Sequence, residues 1–299
     1  VVSQRDWTTP PNFTPLQYRL ADAVDGPHPF TGHTRLGAQY SPDSCNLPLE
    51  TSAACITGVG ATKTANMSPI NRATDPFIVY TWFDCALVGS NEAELRRRTE
   101  TAHRNNAPTV VERVFWSGGT FNTSQHLAED TAITETVGGS VVTLQTAATV
   151  ITGTYDVVEA IGLLEEAMAG CYGGTPLIHV PRRATAHLAT NMLIKEKGQR
   201  LATIGNNSVV IPAPGYLRTG PDGVAAGAGE AWFYATGSVK MWQSDIMWQS
   251  RDVREFLGRS TNDTVLLAEQ RFMFGWDCCH FAIKVNLGGI VTGAVNSAT

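Results

Sequence analysis

The stretch Asn262–Leu287, NDTVLLAEQRFMFGWDCCHFAIKVNL, decides how the rest of the chain is read. Its even positions run Leu266, Ala268, Gln270, Phe272, Phe274, Trp276 and Cys278, while Glu269, Arg271 and Asp277 fall on odd positions. One face is thus mostly apolar and the other carries charge, the period of two of a half-buried strand. Phase is lost at Cys278–Cys279, and Phe281, Ile283 and Val285 form the next apolar set. A bulge or turn there is the simplest physical account. Two long strands at the end of a chain must pair with segments built much earlier, so the expected architecture joins distant parts of the sequence.

The bulk composition narrows the partners. At 299 residues the chain is long enough for one large domain or two ordinary ones, and 43% apolar residues supply a core. Charged residues make up only 16%, well below the usual quarter, which implies surface covered by partners. A net charge of −5 argues against tight sequence-independent binding of nucleic acid, which needs a basic surface. The sequence has no apolar run of membrane-spanning length and no basic-then-apolar leader. The cysteines (Cys45, Cys55, Cys85, Cys171, Cys278 and Cys279) are scattered without a C-x-x-C pair. That pattern predicts reduced thiols in a cytoplasmic setting.

Working outward, residues 1–40 carry Pro10, Pro11, Pro15, Pro27 and Pro29 without a helical period and read as an arm rather than core. Residues 41–71 are irregular, and PFIVYTWFDCALV at Pro76–Val88 reads as a buried strand. Asn91 with Glu94 opens a long helix that the sequence predicts to be kinked at Asn105–Pro108, with Pro108 starting a second segment that stops at Gly118–Gly119. Ser140–Ile151 is strand-like or loop. Asp156 with Glu159 caps a helix whose face is Val157, Val158, Ile161, Leu164 and Met168, and Gly170 suits the position just past its end. PLIHV at Pro176–Val180 predicts a short buried strand, and Pro181 a further helix ended by Gly198. Ser208–Ile211 and Ala231–Asp245 are extended, with the glycine-rich loop Pro221–Gly229 between them.

Motifs for chemistry are weak. Gly58–Thr64 (GVGATKT) lacks the spacing of a phosphate loop and reads as a loop tip. Cys278, Cys279 and His280 offer soft ligands, but neighbouring strand residues point to opposite faces and no second cluster completes a metal site. No G-x-S-x-G elbow occurs, and Glu165–Glu166 lies on the polar face of a helix. Arg96–Arg98 reads as a solvated or intersubunit salt-bridging face, preferred over contact with DNA in an acidic chain. No catalytic residue, cofactor or metal ligand is assigned.

Three stretches in order carry a resemblance. APTVVERVFWSGG, with Glu112, Val114–Trp116 and Gly118, resembles the end of the spine helix of tailed-bacteriophage major capsid proteins and encapsulins. The helix Asp156–Ala169, the strand Leu177–Val180 and the segment Pro181–Lys195 resemble the first half of that family's axial domain. TVLLAEQRFMFGWDCCHFAIKV, with Glu269, Arg271, Phe272 and Phe274, resembles its returning peripheral strands. The resemblance implies an α+β Hong Kong 97-like capsid fold. Its parts would be an N-terminal arm (1–40), an extended loop with flanking strand (41–88) and a peripheral domain with the spine helix (89–144). An axial domain (145–260) and returning strands with a tail (261–299) would complete it.

The same resemblance implies self-association as pentamers and hexamers into a shell around double-stranded DNA, without catalysis. A scaffolding protein, a portal and decoration proteins are the implied partners, with non-specific contact to packaged DNA and no membrane. The location implied is the virion capsid, assembled in the host bacterial cytoplasm. Intersubunit contacts are expected at Trp7 and Phe13 of the arm, Lys63 and Arg72 of the loop, and Arg97 and Arg98 of the helix. Lys63 is expected to make a non-covalent contact rather than an isopeptide cross-link, and Pro221–Gly229 to face the capsomer axis. Encapsulins share the fold but begin with a helix, which five prolines before residue 30 oppose. A soluble α/β enzyme, the third reading, would need a convergent polar pocket.

Overall fold

The computed structural model describes residues 12–42, 71–86, 92–119, 125–137, 139–221, 223–248, 257–258 and 263–288. The two C-terminal runs are strands Asp263–Trp276 and His280–Asn286, separated by a turn in which Cys279 takes a left-handed φ of 63°. They enter different sheets. Asp263–Trp276 is the spine of a six-stranded sheet, antiparallel to Phe77–Ala86 from Asp263↔Ala86 to Phe272↔Phe77 and antiparallel to Val239–Gln243 on its other side. His280–Asn286 lies within a seven-stranded sheet, between Glu230–Thr236 (antiparallel) and Thr149–Asp156 (parallel). The lost phase is therefore a corner at which the chain changes sheet.

Burial along Asp263–Trp276 follows the alternation only in part. Ala268, Gln270, Phe272, Phe274 and Trp276 are buried as expected, but Met273 on the opposite face is fully buried as well. A four-stranded sheet, in the order Ala38–Tyr40, Arg72–Thr74, Ser140–Gln145, Ile133–Val137, lies near that end of the strand. Tyr40 meets Gly275 so closely that a Cβ there would lie 2.7 Å from its Oη. Glycine is what allows that approach.

Glu92–Ser117 is one continuous helix with Pro108 in its interior, so the predicted second start at Pro108 is corrected. Packing holds it: Leu95, Thr99, His103, Ala107, Val111 and Phe115 recur every four residues on the buried side. They face the strands Phe77–Ala86 and Asp263–Trp276, with His103 Nδ1 2.9 Å from Thr81 Oγ1. Phe115 meets Phe274 edge-on at 4.9 Å and Trp276 at 5.8 Å, the offset geometry that aromatic quadrupoles favour.

The central strands of the seven-stranded sheet are buried on both faces. Leu177, Ile211, Tyr234 and Ala282 join the long-helix core, whereas Ile178, Phe233, Ile283 and Val285 pack with the helix Val157–Ala169. Asp156 caps that helix as expected, its Oδ1 accepting from Val158 N at 2.8 Å and Glu159 N at 3.0 Å. Gly170 ends it with an ordinary right-handed φ of −74°, not a left-handed cap. The helix expected from Pro181 to Gly198 shrinks to Ala184–Thr190. Past Met192, at φ 55°, Ile194–Lys197 and Arg200–Thr203 form a hairpin turning at Gly198, φ 65°. Only Ala184 and Leu188 anchor the short helix, and the Gly198–Gln199 turn outweighs continuing it.

Two further expectations change. Cys171 and Cys279 form a disulfide with Cα atoms 6.1 Å apart, joining the end of the Val157–Ala169 helix to the corner between sheets. The partners are 108 residues apart, so local spacing could not reveal the pair, and the reduced-thiol reading fails for these two and for Cys278, which is also disulfide-bonded. The presumed arm is also partly core: Leu20–Ala23 forms one helical turn and Asp25–His28 pairs in parallel with Val239–Gln243. Leu20 is 1% exposed, because a single turn buries a residue without any visible period.

Candidate assembly surface

The strand Phe77–Ala86 reads as buried in sequence because both of its faces are apolar, yet only one is covered. Val79 is buried, and Thr81 reaches His103 on the long helix. Ile78, Tyr80 and Trp82 are 50%, 64% and 59% exposed on the other face. Register explains this. Ile78 pairs with Arg271, Tyr80 with Glu269 and Trp82 with Leu267, and directly opposed residues share a face. Met247 extends the row by pairing with Glu269. The charged side of the C-terminal strand thus continues as an outward ledge of one aliphatic and two aromatic side chains. This was the signal available in the sequence: the partner of a charged face looks outward too.

Of the residues expected to make contacts, those that are described do not gather at one place. Trp7 and Lys63 lie outside the described residues, as do Gly58–Thr64. Phe13 is 52% exposed near the described N-terminus. Arg97 and Arg98 are exposed on the long helix and both bind Glu94, at 2.8 Å and 2.7 Å, which pulls the Glu94 carboxyl down to about 2. Arg72 is buried within its own chain, its Nη1 donating to the Asp277 carbonyl at 2.6 Å and more weakly to the Trp276 carbonyl at 3.4 Å. The neighbouring Tyr40 hydroxyl is pushed up to about 12 by desolvation. The loop around Pro221–Gly229 closes on itself through a Thr219–Ala225 bridge and leaves Val224 exposed.

Buried histidines are tied into the fold. His179 Nδ1 lies 2.8 Å from Tyr216 Oη and its Nε2 3.0 Å from Thr236 Oγ1, and burial pushes it down to about 3. Burial likewise lowers His280 to about 4. Among the described residues no group of three histidine, cysteine, aspartate or glutamate side chains is arranged to hold a metal ion, and no helix is long and apolar enough to cross a membrane.

No family model and no curated protein matches the sequence. Solved structures do match, over nearly the whole chain. The capsid of the empty GTA particle computed with C5 symmetry aligns with a TM-score of 0.58 at 12% identity, covering 95% of each chain. The capsid of the native GTA particle aligns equally well at 10% identity, again over 95% of both chains. The capsid of Ralstonia phage GP4 gives 0.51 at 11% identity, covering 97% of this chain and 96% of that one. The chain has the fold of viral shell proteins. Within that class it is the Hong Kong 97-type fold of tailed-phage major capsid proteins.

Proposed function

We propose that this chain is the major capsid protein of a tailed double-stranded DNA bacteriophage, building an icosahedral shell from pentamers and hexamers of itself. Its role is structural, and its place is the virion. The observation that carries the reading is the ledge of Ile78, Tyr80 and Trp82, on a fold shared with capsids along nearly its whole length. Exposed aromatic side chains in a row on a sheet face are a contact surface in search of a partner. Repeated copies of one chain, joined through heterologous contacts that close into rings, supply that partner. The chain divides in this reading into the arm, extended loop, peripheral and axial parts given above. The portion from Leu20 to His28 is assigned instead to the body of the subunit.

Electron microscopy of the purified protein tests this. Closed shells of tens of nanometres, with dense DNA in native particles, are the expected result. Shells that hold protein cargo and no DNA would favour an encapsulin instead. A uniform 32.2 kDa monomer, even with a scaffolding protein supplied, would overturn the shell reading.

A further inference from the structure

Away from the ledge, one partly open pocket combines apolar walls with a buried acid. A cavity of about 180 Å³ lies where the N-terminal turn, the long helix and the six-stranded sheet meet. Leu20, Pro108, Val111, Met241 and Phe272 supply its apolar lining. Glu112 lines it too and is only 2% exposed. Glu112 Oε1 accepts from Leu20 N at 3.3 Å and Oε2 from Gly215 N at 3.0 Å, so each oxygen keeps a lone pair for another donor. The carboxyl is held firmly in place: a Cβ on Gly215 would sit 2.2 Å from the Thr109 carbonyl, so the loop grips the helix there.

Two of the other polar groups lining the cavity have partners of their own, and Gln243 completes the polar lining. Arg104 is bound to Glu100 at 2.8 Å, and Gln270 donates to the Ser244 carbonyl at 2.7 Å. Arg19 and Asp22 act on Glu112 only through space and with opposite signs. Among the described residues, no ion pair engages Glu112. A buried carboxylate without a direct ion pair is costly, and its carboxyl is pushed up to about 7 by that desolvation. A ligand that brings a positive charge with N–H donors would remove the cost. On size, a dry cavity of roughly 150 Å³ accepts benzene, so this one has room for one or two further heavy atoms.

We propose that this cavity binds a small organic ammonium: an apolar body of about seven or eight non-hydrogen atoms bearing one primary amine, which donates to Glu112. Bound there, it bridges the long helix and the N-terminal turn and holds the turn in place. Benzylamine is the probe, titrated against the full chain at pH 8 by calorimetry and ligand-observed NMR. The expected dissociation constant is on the order of 1 mM or tighter. Toluene, with the same body and no amine, should bind at least tenfold more weakly.

Glu112→Gln, which keeps the shape and removes the charge, should weaken benzylamine at least tenfold. Ala21→Phe, at an exposed lining position, should do the same by obstructing the cavity while leaving Glu112 intact. Binding should also slow hydrogen exchange at the Leu20 amide. Failure of benzylamine to bind, equal binding of toluene, or full binding by both variants would overturn the proposal. If Glu112→Gln does not fold, the toluene comparison and Ala21→Phe decide alone. The site lies within one chain, so none of these outcomes depends on whether the chain builds shells.

Discussion

Glu112 shows how one residue links distant parts of the chain and makes their union depend on pH. Its carboxyl is pushed from an ordinary 4.5 up to about 7 because burial outweighs the Gly215 and Leu20 amides that favour its ionised form. The folded chain therefore keeps a proton between those values that the unfolded chain has released. The stabilisation from that proton is complete below about pH 4.5, declines as pH rises through 7 and is absent above. The buried His179 and His280, lowered to about 3 and about 4, act with the opposite sign. They stay neutral in the fold, so stability falls as pH drops below the ordinary histidine value of 6.5 towards those lower values. Urea denaturation of Glu112→Gln against wild type isolates the acid. The variant should gain on wild type by up to about 3 kcal/mol between pH 4.5 and pH 8. A constant difference across that range would show that Glu112 does not titrate as argued.

At the scale of elements, the long helix is held by its buried face in spite of its own sequence. Pro108 has no N–H to offer the Arg104 carbonyl, and proline inside a helix costs about 3 kcal/mol against alanine. Pro108→Ala should therefore raise stability by about 1–3 kcal/mol in chemical denaturation, unless the ring's lining of the cavity offsets part of it. The Cys171–Cys279 bond closes a loop of about a hundred residues, for which a stabilisation of roughly 2–5 kcal/mol is expected. Thermal melting with and without reductant should show a lower midpoint when reduced, and Cys171→Ser should shrink that difference by the part this bond contributes, leaving the part due to the bonded Cys278. These elements also show what the sequence makes legible. Alternation exposed the C-terminal strands, and the Asp156 cap exposed its helix, because both signals are local. The disulfide, the parallel pairing of Asp25–His28 and the burial of Arg72 depend on contacts across long stretches of chain, which no spacing encodes. The Ile194–Thr203 hairpin was legible in its glycine turn but was masked by the proline and apolar residues before it.

For the whole molecule, low charge and the open ledge point the same way. A chain with 16% charged residues that leaves Tyr80 and Trp82 more than half exposed has put part of its apolar surface on a sheet face open to solvent. Together with Ile78 the ledge offers on the order of 300–400 Å², about the largest patch an ordinary monomer tolerates. The charges of Glu269 and Arg271 beside it would set the register of whatever docks, since electrostatics selects partners more than it strengthens binding. If the docking partner is another copy of this chain, a Tyr80→Asp, Trp82→Asp double variant should fold with little change in stability, because both side chains face solvent in the single subunit. It should nevertheless fail to form shells, sedimenting as subunits or small oligomers under conditions where wild type closes. Tyr80→Phe with Trp82→Tyr keeps the apolar surface and should restore closure. Analytical ultracentrifugation with electron microscopy separates the cases. Normal shells from the aspartate variant would mean that the ledge faces solvent in the particle and that another surface joins the subunits.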